Sequence, residues 1–204
     1  FIYANLILMK TLLTLYVLLF SSLVVADDIS DFDIEGISIG DSLLEHFTLI
    51  EIQNNFIEYD YKKIGNLDFV TTEFAYHKKF KTFDAVQFYT KENDKNYKIY
   101  SISGGIFYTK NDINLCYEKL ETQSNEFDLL FPDTKKENPG ERVHYADPTE
   151  QSLYTGLYYV FESGGFISTE CYKWSNYMKE KYGSSNNFKI TVTTEIFRSF
   201  INQQ

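Results

Sequence analysis

The sequence predicts an α+β fold, with antiparallel sheet packed by a long central helix and short terminal helices. Three observations carry this. Aromatic residues make up 18% of the chain, with 17 Tyr and 18 Phe against one Trp, and such side chains suit half-buried pleated surfaces. Segments of alternating polarity come in runs joined by short polar turns, which argues for hairpins over helical crossovers. Between two of these runs lies one stretch with helical spacing, Ile113 to Leu130.

The N-terminal part reads as a signal peptide. Met9 is the first methionine, and Lys10 precedes an uncharged apolar run from Thr11 to Val25 that ends at Ala26. Val24 and Ala26 are small residues three and one positions before a cut, so cleavage is expected between Ala26 and Asp27. Residues 1–8 read as upstream translated sequence or an early start. The other reading is a membrane anchor, but a span needs about 20 apolar residues and this run has about 15. Residues 27–204 are then expected to form a single α+β domain, with no stable membrane span after cleavage. Its destination would be the periplasm or the outside.

Along that domain, Asp27 to Glu35 reads as an acidic arm or a first edge strand. A helix is expected near Ser38, where Ser38-x-x-Asp41 has the form of a capping box ahead of Leu43, Leu44 and Phe47. Thr48-x-x-Glu51 repeats the pattern, so two short helices in tandem are predicted. Alternation over Val70 to Tyr76 predicts a strand, as does the aromatic and β-branched run Phe83 to Thr90. Lys91 to Asn96 reads as a turn, and Tyr97 to Tyr108 as a strand with a bulge or kink at Gly104-Gly105. Asn111 is a candidate cap for the helix carrying Ile113, Cys116, Tyr117, Leu120, Phe127 and Leu130, with a polar gap at Ser124. The three prolines, Pro132, Pro139 and Pro148, mark residues 131–152 as a loop. Leu153 to Phe161 and Phe166 to Tyr172 read as a hairpin turning at Ser163-Gly164-Gly165. A short helix around Trp174 to Lys181, a strand through Phe188, Ile190 and Val192, and a terminal helix capped by Thr194 complete the chain.

Cys116 and Cys171 are the only cysteines. Export would place them where disulfides persist, and a bridge would tie the helix layer to the sheet. The alternative is two buried thiols that never meet.

Few motifs suggest chemistry. Gly40-Asp41-Ser42-Leu43 spells the block that names a family of serine esterases and lipases, and Gly36-Ile37-Ser38-Ile39-Gly40 matches a nucleophile elbow. The remaining parts of that esterase pattern are poor. Glu141-Arg142-Val143-His144 stands where an Asp-x-x-His pair is needed, and lies far from the C-terminus. The strand before the serine should be a continuous apolar run, and Asp31 to Glu35 is not. Both serines have a second reading as residues that satisfy free N–H groups at a helix start. Asp31-x-Asp33-x-Glu35-Gly36 copies half a calcium loop, but its twelfth position is Ser42 where a bidentate Glu is required. His46, His77 and His144 are too far apart in sequence to suggest a metal site. No cofactor or metal is therefore expected. Tyr154, Tyr158, Tyr159 and Tyr172 could line a recognition surface or simply pack across strands. The net charge of −10 offers no attraction to nucleic acid, so no nucleic-acid partner is expected.

Ile34-Glu35-Gly36-Ile37-Ser38-Ile39-Gly40-Asp41-Ser42-Leu43-Leu44 and Tyr97-Lys98-Ile99-Tyr100-Ser101-Ile102-Ser103-Gly104 resemble a group of exported proteins of marine bacteria with no assigned activity. That resemblance implies export and a shared fold, and no chemistry. The Gly-x-Ser start to short tandem helices followed by strands is also similar to small outer-membrane assembly lipoproteins of the BamE type, though a lipobox cysteine is missing. The expectation is an exported, non-enzymatic binding or interaction domain for an unknown protein or small-molecule ligand. A serine esterase using Ser42 and a structural component of envelope assembly are the alternatives.

Overall fold

A computed structural model describes residues 29–57, 69–108 and 112–203. The apolar run, the cleavage site at Ala26 and Asp27, and the candidate cap Asn111 lie outside these residues. Among the described residues nine strands form one sheet, and every pairing in it is antiparallel. With two further strands in a small hairpin and four α-helices among the same residues, the fold is α+β.

The hairpin comes first. Strands β1 (Asp33–Ile34) and β2 (Ile37–Ser38) meet through Glu35 and Gly36, at φ 57° and 77°. Two consecutive left-handed residues make the turn whose twist suits a tight hairpin. The chain therefore has no helix at Ser38. The Ser38–Asp41 pair does form half its expected bond, since Asp41 accepts from the Ser38 N–H at 2.9 Å. A 3-10 turn follows at Leu43–Glu45, and then α1 (Leu49–Asn54), whose Thr48–Glu51 capping box closes in both directions.

The sheet runs in the order β3 (Phe56–Ile57), β4 (Phe69–Ala75), β5 (Ala85–Lys91), β6 (Ile99–Tyr108), β11 (Asn186–Thr193), β10 (Phe166–Lys173), β9 (Leu153–Val160) and β7 (Lys135–Glu137). Strand β8 (Arg142–Val143) also pairs with β9. Residues 131–152 are thus not wholly loop: two short polar strands cover the two ends of the outer edge of β9. The register irregularity falls between Tyr89 and Thr90, not at the glycine pair. Gly104 pairs regularly with Val86 and Ile190. It is glycine because the Phe83 ring lies over it, 2.7 Å from where a Cβ would stand.

One face of the sheet is the core. Phe74, Phe88, Ile102, Phe188, Ile190, Ile167 and Tyr159 are buried there beneath the N-terminal hairpin and α2 (Ile113–Leu130). Helix α2 crosses β10, β11 and β6 and is capped by Asp112. Its polar gap is part of the packing. Ser124 is buried, 3.2 Å from the hydroxyl of buried Tyr159, and Lys136 reaches both Ser124 and Asp128. A tyrosine hydroxyl in a core needs such partners. Cys116 and Cys171 form a disulfide that bolts α2 to β10, with their Cα atoms 5.8 Å apart.

The opposite face is covered only in part. The terminal helix α4 (Glu195–Ile201) packs Phe197 and Phe200 on Phe69 and Tyr89. Helix α3 (Asn176–Tyr182) ends at Gly183, whose φ of 68° is the left-handed conformation common at helix ends.

A candidate ligand cleft on the helix-poor sheet face

Side chains of a strand alternate between faces, so the register fixes which ones share the surface left open by α4. Three rows cross β6, β11, β10 and β9. The first reads Ser103, Thr191, Ser168, Tyr158; the second Gly105, Lys189, Glu170, Gly156; the third ends in Tyr172 and Tyr154. Together they floor a cleft of about 560 Å³, within the range of about 300–1,000 Å³ usual for small-molecule sites. One wall is α4 with Phe197 and Arg198, and the other is the segment from Glu137 to Tyr145.

The floor is hydroxyl-rich and mostly buried. Ser101 and Thr193 pair at 2.8 Å, and Ser103 and Thr191 at 2.9 Å. Ser168, between Thr191 and Tyr158 in the first row, is only 1% exposed. Glu170 is the buried charge of the floor. A Cβ at Gly156 would stand 2.7 Å from its side chain, so the glycine lets the Glu170 stem lie across β9. There Tyr158 and Tyr172 each donate a hydroxyl to its carboxylate, Tyr172 at 2.8 Å. Burial, reinforced by the Glu170 charge, pushes both tyrosines well above the usual phenol range, so they remain donors at neutral pH. Lys189 stands directly opposite Glu170 in register. Glu170 nonetheless turns away from it, and the Lys189 ammonium has no hydrogen-bond or ion-pair partner among the described residues.

An aromatic wall bounds one end. Tyr154 and Tyr172 stack at 5.8 Å, Tyr172 stacks on Trp174, and His144 lies 4.6 Å from the Trp174 ring. Tyr145 stacks on His144 with its ring planes 18° apart while remaining 94% exposed. Burial, then the nearby Lys189 charge, lowers the His144 pKa, so the imidazole is neutral at pH 7. Its Nδ1 accepts from the Ala146 N–H at 3.2 Å. The loop that carries it is anchored by Asp147, which accepts from the backbone and side chain of both Thr149 and Ser152 at 2.6–2.9 Å. Burial works against that carboxylate, but the bonds from Ser152, Thr149 and Ser175 outweigh it and hold its pKa well below the usual range.

The sequence motifs lie elsewhere. Ser42 Oγ donates to the Asn96 carbonyl at 2.5 Å and accepts from the Leu44 N–H at 3.3 Å. His46 is nearby but committed, with Nε2 3.2 Å from Asp41 and Nδ1 facing Lys79 Nζ at 3.3 Å. Since an ammonium only donates, Nδ1 is the acceptor and Nε2–H points to Asp41. Neither nitrogen is placed to take a proton from Ser42. Glu35, of the calcium-like stretch, instead accepts from the N–H groups of Lys81, Thr82 and Phe83. No cluster of three His, Cys, Asp or Glu able to hold a metal occurs among the described residues. Of the tyrosines noted in the sequence, Tyr154, Tyr158 and Tyr172 line the cleft, whereas Tyr159 points into the core.

Sequence reasoning missed Ser103, Thr191, Ser168, Glu170 and Lys189. The available signal was a run of polar residues at every second position on three strands that alternate with core residues. No family model, curated protein or solved structure matches the chain. No helix among the described residues is long and apolar enough to cross a membrane.

Proposed function

We propose that the protein is an exported, non-enzymatic binding domain whose ligand lies in the cleft on the helix-poor face of the sheet. The observation that carries this reading is the floor itself. A sheet face that merely meets water has no need to clamp buried Glu170 between two tyrosine hydroxyls, or to leave Lys189 unpaired beside it. Buried polar groups are normally satisfied, and convergent ones in a concave site await a ligand. The disulfide between Cys116 and Cys171 fits an oxidising compartment, periplasmic or extracellular. Ser42 supports the esterase alternative poorly, because both of its hydrogen bonds go to the backbone of a turn.

The test is a thermal-unfolding screen of the full chain against small polar molecules, with Trp174 emission read in parallel. Trp174 is the sole tryptophan and is stacked on the cleft's aromatic wall. Ligands that raise the unfolding midpoint should also change its emission. Stabilisers that leave the emission untouched would put binding elsewhere and count against this reading.

A further inference from the structure

We infer that the cleft takes an acidic saccharide, with the sugar hydroxyls on the Ser/Thr floor, a ring face on the aromatic wall and a carboxylate on Lys189. This rests on the binding reading above and narrows its ligand.

Strands β6, β11 and β10 are each paired on both sides along the cleft, and β7 and β8 cover the outer side of β9 except at residues 155–157, so no backbone edge long enough for an extended peptide is open there. Recognition falls to side chains. Those on the floor are hydroxyls, a carboxylate and an ammonium, which suit a ligand dense in donors and acceptors. Ser168 adds a further hydroxyl within the first row. Glu170 is already held by two tyrosine donors, and can still accept from a ligand hydroxyl through its remaining lone pairs.

The wall complements the other side of a sugar. Aromatic faces carry partial negative charge and attract polarised C–H groups, so a pyranose ring packs flat on them. Tyr145 is held flat on His144 and left exposed, and Tyr154 and Tyr172 form a stacked pair beside it.

Charge makes the saccharide acidic. The chain is strongly acidic, yet this cleft presents Lys189 without a counter-ion and Arg142 at its rim. Lys189 has its cross-strand carboxylate in register and does not pair with it. An unpaired ammonium on a half-buried floor attracts an anionic group that arrives with the ligand.

The experiment is calorimetric titration of the full chain with trigalacturonate and with its fully methyl-esterified form, alongside a mononucleotide and an acidic peptide. The two saccharides share hydroxyls and ring faces and differ in charge. Trigalacturonate should bind at least about ten-fold more tightly than the ester. Lys189→Met, which keeps the apolar stem, should remove that preference, and Ser168→Ala should weaken both saccharides several-fold. Circular dichroism of each variant confirms that it is folded, and the wild-type comparison of acid with ester stands even if a variant is not. Equal binding of acid and ester would overturn the role of Lys189. Binding of the nucleotide or peptide alone, with a response from Trp174, would overturn the saccharide while leaving the cleft as a binding site. Failure of every probe to bind would overturn the inference and leave the thermal screen as the separate judge of the binding reading.

Discussion

At the scale of single residues, the same side-chain chemistry does different work depending on what lies opposite. Ser42 sits in a motif associated with nucleophiles, but its hydroxyl ties a 3-10 turn to the Asn96 carbonyl. Ser42→Ala should therefore cost about 0.5–2 kcal/mol, the usual value of a helix-start cap, measured by chemical denaturation. A fluorophosphonate probe should label the wild-type and variant chains equally little, and labelling that vanished in the variant would reinstate the esterase. Asp147 organises the loop behind the aromatic wall. Its pKa is depressed in the folded state, so its stabilising contribution is present above the ordinary carboxylate pKa and is lost as pH falls below it. Asp147→Asn should unfold at a lower temperature than the wild type at pH 7. The gap should narrow as pH drops below about 4, and a gap that widened there would contradict the assignment. The caps at Thr48 and Thr194 could be read from residue type alone, because a hydroxyl at a helix start has one main use. The role of Ser168 could not, because its surroundings come from three other strands.

Elements were legible where a period was long enough to repeat. The alternation over 153–161 and 166–172 and the helical spacing after Ile113 match β9, β10 and α2 closely. Short features misled. Two residues of β7 are lysines and both residues of β8 are exposed, so these strands read as loop; they exist because β9 offers an edge to pair with. The Gly104-Gly105 pair suggested a bulge, but Gly104 is set by the Phe83 ring above it. Cys116 and Cys171 join the two layers, as the expected helix-to-sheet bridge would. The 55-residue separation corresponds to about 4 kcal/mol by chain entropy. Replacing both cysteines with alanine should lower stability by roughly 2–5 kcal/mol, read as a drop in the denaturation midpoint. A loss below about 1 kcal/mol would mean that α2 is held on the sheet without the bridge.

For the whole molecule, the sheet divides labour between its faces. One face builds the core with α2, and the other carries polar residues at alternate positions, which in sequence look like ordinary solvent-facing positions. Only the register across β6, β11, β10 and β9 gathers them into one floor, and register is a property of pairing that no single segment encodes. The proposed binding role requires that floor to be a ligand site. Thr191→Tyr places a ring into the cleft from a half-buried position on its floor. The most direct test compares ligand-induced thermal stabilisation of this variant and of the wild type, with circular dichroism confirming that both are folded. Stabilisation seen in the wild type should disappear in Thr191→Tyr. Stabilisation of equal size in both would contradict the claim that this face of the sheet binds the ligand.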